Sequence, residues 1–217
     1  MARGRRAALR APVVTTSSRA QRTSDRRDAI VDAALALFAT HGYRGTSIQA
    51  VAREVGVTDA GVLYHFKTKS DLLLAVLEHH DARWAAMVER SRAQGPAQEL
   101  HRLREWGVEM ERDTDLVALL VILSAEHLRD DTPTNAYLRA RYRTVIGGFE
   151  DTFAAAAREG LLRRDLDPRA EAVALGAFLD GIRLQWFFAD APLSMADAVR
   201  GYVDAVLQRL TRPDKTR

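Results

Sequence analysis

The chain has no cysteine in 217 residues. That absence removes disulfides, thiolate metal sites and cysteine nucleophiles together, and it fits a reducing compartment. Long hydrophobic runs are missing as well: the longest, Leu116 to Leu123, falls far short of the roughly 18 residues that a membrane span requires. The first residues carry arginines with no apolar stretch behind them, so no secretory signal is expected, and the cytoplasm is the expected location. Catalytic signatures are lacking too, with no Gly-rich phosphate loop, no nucleophile elbow and no HExxH. The adjacent histidines His79 and His80 cannot face one metal from a regular helix. A catalyst is therefore not expected, nor is a metal or a cofactor.

What is present is enough apolar material, 47% of residues, for one composite unit or two modest domains. Charge is unevenly spread. Residues 1–27 hold eight arginines against a single acid, Asp25, while the whole chain is only +3, so the remainder is net acidic. A basic end on a mildly acidic body suits a polyanion-binding end attached to a part with a different task, although a solvated tail has the same composition. Residues 1–22 lack apolar periodicity and are read as a disordered arm.

Everything after the arm reads as helix. From near Ser24, Ile30, Ala33, Ala34, Leu37 and Phe38 fall at the spacing of an amphipathic helix that ends at His41-Gly42. Thr46 is a cap candidate for a second helix with Ile48, Val51, Ala52 and Val55 on one face, stopping at Gly56. A third short helix runs from Thr58 to about Phe66. Thr68 and Asp71 have capping-box spacing at the head of a fourth, long helix reaching about Arg92. Five more are expected over 97–112, 115–129, 133–159, 168–189 and 195–210, with Pro133, Gly160, Asp167-Pro168 and Ser194 as punctuation. The expected fold is all-α, about nine helices. It divides into the arm, a helix-turn-helix domain over 23–67 and a helical effector-binding and dimerisation domain over 68–211.

Thr46 to Lys69 carries the chemistry. Two helices that cross at a tight turn need a small residue at the crossing, a turn residue tolerant of positive φ and an apolar residue packing the second helix on the first. Ala52, Gly56 and Val62 fill these roles at the spacing of a helix-turn-helix, which an ordinary helical hairpin could share. Burial of Val62 and Phe66 turns Ala60, Gly61 and Tyr64 outward, with His65 on the flank. Small residues there let the helix approach a groove floor, and the tyrosine can reach phosphate or base edges.

The runs Ala29-Ile30-Val31 to Leu37-Phe38, Gly42-Tyr43-Arg44-Gly45-Thr46-Ser47-Ile48, Ala52-Arg53-Glu54-Val55-Gly56-Val57 and Leu63-Tyr64-His65-Phe66-Lys67-Thr68-Lys69 resemble the N-terminal domain of the TetR family of bacterial repressors. The resemblance covers about 28–77. It implies a homodimer whose third helices enter successive major grooves of a palindromic double-stranded DNA operator, with release by a small, largely apolar effector. It further implies that Thr46 and Ser47 cap the second helix and hold a phosphate, that Gln49 faces the groove, and that Thr58, Asp59, Ala60, Gly61, Tyr64 and His65 form the recognition helix. Lys69 is implied as a phosphate contact. One position departs from the family pattern: Leu63 stands where a tyrosine is usual, and the aromatic is Tyr64.

The C-terminal part shows core periodicity without a site motif. Leu116 to Leu123 is apolar nearly all round, as expected of a central buried helix. Gly176, Ala177 and Gly181 on the eighth helix, with Val199, Val203, Val206 and Leu210 on the ninth, are expected at the dimer interface, as the resemblance implies. Trp106, Met110, Tyr137, Phe149 and Trp186 are candidates for lining an effector cavity, with His127 as a polar group to orient the ligand.

Overall fold

The computed structural model describes residues 19–129, 131–189 and 192–211. They form nine helices and no strands: α1 (Arg19–Gly45), α2 (Ile48–Val55), α3 (Asp59–His65), α4 (Lys69–Arg92), α5 (Pro96–Arg112), α6 (Thr114–Glu126), α7 (Pro133–Arg158), α8 (Pro168–Phe188) and α9 (Met195–Thr211). No described helix is long and apolar enough to cross a membrane. Local chemistry sets most of the boundaries. The capping box at α4 is complete, with the Thr68 and Asp71 side chains each taking the other's backbone N–H. Asp167 caps α8 ahead of Pro168, and Ser194 accepts from the Asp197 N–H at the head of α9.

Two sequence expectations change at the N-terminal end. Residues 19–22 belong to α1, so the helix starts inside the segment expected to be arm; residues 1–18 lie outside the described part. The cap of α2 is Ser47, not Thr46: Ser47 Oγ accepts from Ala50 N at 3.1 Å, whereas Thr46 is 3% exposed. Gly42 (φ 71°, ψ 168°) interrupts α1 in a conformation that a side chain would strain.

The apolar faces assemble into two cores. The first gathers α1, α2, α3 and the front of α4 with Leu116, Leu119, Leu120 and Leu123 of α6. The second is built by α5, α7, α8 and α9 and includes Val117 from the other flank of α6. Helix α6 is therefore the shared wall expected of its all-round apolar sequence.

Packing also corrects the expected dimer surface. Val199, Val203 and Leu210 are at most 3% exposed inside the single chain, where they belong to the second core. Gly176 is likewise internal, facing the Ile146 side chain. Of the seven residues expected at the interface, only Ala177, Gly181 and Val206 remain accessible.

The tightest crossing is that of α5 with α9. A methyl group at Gly107 would lie 2.5 Å from the Met195 carbonyl oxygen and 2.7 Å from Ala196 Cα, both backbone atoms that cannot turn aside. At Gly176 the obstacle is the tip of Ile146, which can. Gly107→Ala should lower the unfolding free energy by about 1–3 kcal/mol or more, and Gly176→Ala by less than half of that. Equal shifts in denaturant midpoint would contradict this account of the crossing.

Candidate nucleic-acid interface and ligand cavity

Helices α2 and α3 meet at Ala52, 1% exposed, and Val62, fully buried. Between them Gly56 takes a left-handed conformation (φ 71°, ψ 35°), and Val57 N donates to the Ala52 carbonyl at 2.9 Å. Thr58 caps α3 through Gly61 N at 3.1 Å. Asp59 follows in the first turn, where its charge suits the helix dipole. On the outward side of α3 Ala60 is exposed and Tyr64 is 72% exposed. A methyl group at Gly61 would meet only ordinary contacts, so internal packing does not require glycine there. Ser47 and Gln49 are exposed beside this face.

His65 is half-buried, edge-on to Tyr64 at 5.2 Å. Burial and the nearby charges of Arg27 and Arg26 hold its pKa below the ordinary histidine value, so the ring is neutral at pH 7. The Arg27 guanidinium lies over the Phe66 ring at 5.2 Å, which places the basic start of α1 next to α3.

Two residues expected at phosphates have internal duties. Thr46 Oγ1 lies 2.9 Å from the Gly42 carbonyl and 3.0 Å from that of Leu37, tying the α1–α2 corner together. Lys69 Nζ donates to the carbonyls of Tyr43 (2.8 Å) and Thr46 (2.9 Å) and stands 4.3 Å from the centre of the Tyr43 ring. Tyr43 has no role in the sequence reading, yet it is the hub. Glu126, at the end of α6, accepts from Tyr43 N at 3.2 Å, and a side chain at Gly42 would strike the same carboxylate. His127, expected in a ligand cavity, is instead buried edge-on to Tyr43, 5.6 Å away, and its carbonyl accepts from Asn135.

A cavity of about 650 Å³ opens between α4, α5 and α7. Its floor is the stacked pair Trp84 and Trp106, 4.9 Å apart, with Phe149 edge-on to Trp106 at 5.2 Å. Trp106, Tyr137 and Phe149 are among its lining residues. Met110 lies behind Trp106 in a void of about 20 Å³, where its sulfur accepts from Arg183. Trp186 does not line the cavity; it stands near the end of α8 beside Phe187. Sequence reasoning gave no cavity role to Asp81, Arg141 or Arg102. The i, i+4 spacing of Arg102 and Trp106 on α5 is the signal that was available.

A helix-turn-helix with a bare outer face, carried on a helical body that holds an aromatic cavity, defines a ligand-responsive DNA-binding protein class. Residues 30–76 match the family model of bacterial regulatory proteins of the tetR family, and 96–212 match the C-terminal domain of BetI-type transcriptional repressors. The chain belongs to the TetR family and is a DNA-binding transcriptional regulator. It is similar to the transcriptional regulator AcrR of Shigella flexneri, 25% identical over 194 residues, or 87% of this chain and 90% of that protein. Among solved structures it resembles AibR in complex with isovaleryl coenzyme A and operator DNA, at 27% identity and TM-score 0.65, covering 83% of this chain and 97% of that one. A regulator from Saccharomonospora viridis in complex with choline shares the fold, at 24% identity and TM-score 0.69 over 85% and 96% of the chains.

The internal bonds of Lys69 and the exposure of Tyr64 set opposite expectations for stability. Lys69→Met removes two charge-assisted hydrogen bonds and should cost about 1.5–3 kcal/mol of unfolding free energy. Tyr64→Ala should stay within about 0.5 kcal/mol of wild type. Chemical denaturation of both variants tests the assignment; an unchanged midpoint for Lys69→Met would remove Lys69 from the corner.

Proposed function

We propose that the protein is a cytoplasmic repressor that acts by binding alone: a homodimer grips a palindromic operator and lets go when a small, largely apolar molecule fills the cavity. One observation carries this reading. The cavity and the DNA-facing helices share structural members, since α4 runs from Lys69 at the helix-turn-helix corner to Trp84 in the cavity floor. AibR, whose structure holds both isovaleryl coenzyme A and operator DNA, supports a joint ligand and DNA function.

On DNA, Ser47, Gln49 and Thr58 border the groove, Ala60 and Gly61 permit close approach, and Tyr64 supplies a hydroxyl to a base edge or phosphate. Asp59 and His65 flank that surface. Lys69 keeps a third donor for a phosphate. A ligand acts only through its differential affinity for the gripping and released dimers, and about 1–3 kcal/mol of coupling gives a 5- to 150-fold change in operator affinity.

The dimer face is the outer side of α8. Val173 and Leu184 are each 48% exposed and Phe188 is 77% exposed. Ala177 and Gly181 fall between them at helical spacing and let a second helix come close. Val206 on α9 adds to the edge of this face.

Selection from random duplexes should enrich inverted repeats whose half-site centres lie about 34–36 Å apart. Light scattering should show a dimer at micromolar concentration, and Leu184→Glu should give monomers that lose operator binding while retaining their helical spectrum. A monomeric wild type, or enrichment of unpaired half-sites alone, refutes the dimer on a palindrome.

A further inference from the structure

The charges around the cavity do not cancel pairwise. Asp81 is satisfied, accepting from Arg141 Nε at 2.8 and 3.1 Å and from the Tyr137 hydroxyl at 2.8 Å. Asp151 takes Arg92 at 3.4 Å. Glu99 turns one carboxylate oxygen to the Thr152 hydroxyl at 2.7 Å and has Arg92 3.9 Å from the other. Glu89 and Arg143 also line the cavity but are exposed to solvent, so Arg102 is the buried cation left over. It lines the cavity and is 9% exposed, with its guanidinium over the Trp106 ring at 5.1 Å. Its Nε and Nη1 are buried without a hydrogen-bond partner among the described residues.

That arrangement is costly unless something else completes it. A guanidinium keeps its proton at neutral pH, so the cost of burial cannot be removed by losing the charge. Burial does press its pKa below the ordinary arginine value, with only the attraction of Glu99 working strongly the other way. A buried, unpaired cation is destabilising until a counter-charge with hydrogen-bonding capacity arrives. The guanidinium fork matches a carboxylate, and the Trp84–Trp106 stack with Phe149 offers a broad apolar surface beside it. One buried unpaired cation, with Glu99 acting on it and the carboxylates of Glu89 and Asp151 also lining the cavity, suits a single negative charge better than a doubly charged phosphate.

Resting on the reading of this cavity as the effector site, we infer that its ligand is an organic monoanion, an amphipathic carboxylate whose charged end pairs with Arg102 and whose apolar body covers the tryptophan stack. Arg102 is then the residue that determines ligand charge. The Asp81–Arg141–Tyr137 group, bonded within itself, also lines the cavity and takes no part in charge recognition.

The test uses three compounds with one apolar body: naphthylacetate, its amide, and naphthylmethyl-trimethylammonium. Calorimetry on the full-length wild type should show the acid binding at least about tenfold more tightly than either of the others. Arg102→Met should weaken the acid by about 10- to 100-fold, change the amide by less than about twofold, and leave the ligand-free melting temperature unchanged or raised, because removing an unpaired buried charge relieves a cost. A structural arginine would lower it. Wild-type binding of the amide or the ammonium compound as tight as that of the acid overturns the inference, as does the failure of all three to bind at millimolar concentration. If the variant does not fold, the wild-type series alone decides. Operator titrations separate this inference from the proposed function: an acid that binds selectively without changing operator affinity upholds the charge assignment and removes the effector role. Operator release by the amide or ammonium compound without selective binding of the acid does the reverse.

Discussion

The corner between α1 and α2 depends on one ammonium group. Lys69 Nζ holds the carbonyls of Tyr43 and Thr46 at 2.8 and 2.9 Å, so the first residue of α4 is bonded to the segment that aims α2 and, through it, α3. Backbone carbonyls at a helix break have no partners of their own, and an unpaired buried carbonyl costs as much as a lost hydrogen bond. The lysine supplies that partner from outside the segment. Glu126 does the same on the donor side at Tyr43 N, from the end of α6. Three elements remote in sequence thus meet at one tyrosine, and the orientation of the reading surface follows from how they are held.

Helices α4 and α6 each join this corner to the cavity region. The former carries Trp84 into the cavity floor; the latter passes Leu116, Val117 and Leu120 along the void behind Trp106 before ending on Glu126. Under the proposed function, a ligand that shifts the tryptophan stack moves two levers that end on the same residue. Packed interiors deform in discrete steps rather than continuously, which makes such a shared joint a suitable switching element.

Much of this was legible in the residues. Helix punctuation follows local rules, so the Thr68–Asp71 box, Gly56 and the Asp167-Pro168 start all stand where the sequence puts them. The outward exposure of Ala60 and Tyr64 follows from a period of 3.6 residues and the burial of Val62 and Phe66. Thr46 and Ser47 show where this reasoning ends. Both are good cap residues, and only the path of the chain into Gly42 decides that Ser47 caps α2 while Thr46 turns inward.

The sequence by itself determined the fold class, the helix-turn-helix and the family, because these rest on periodicity, caps and closely spaced residues whose partners lie within a few turns. Tertiary structure alone decided which apolar stripes are internal. Val199, Val203 and Leu210 form a stripe suited equally to a partner chain or to α5, and periodicity states that a face is buried without stating against what. It also decided the partners of charged groups. Arg92, Arg102 and Arg141 are indistinguishable along the chain; the positions of Asp81, Glu99 and Asp151, 7 to 60 residues from the arginines they meet, make two of them paired and leave one facing an aromatic cavity. Charge pairing is a property of distances in space, and sequence separation carries almost no information about those.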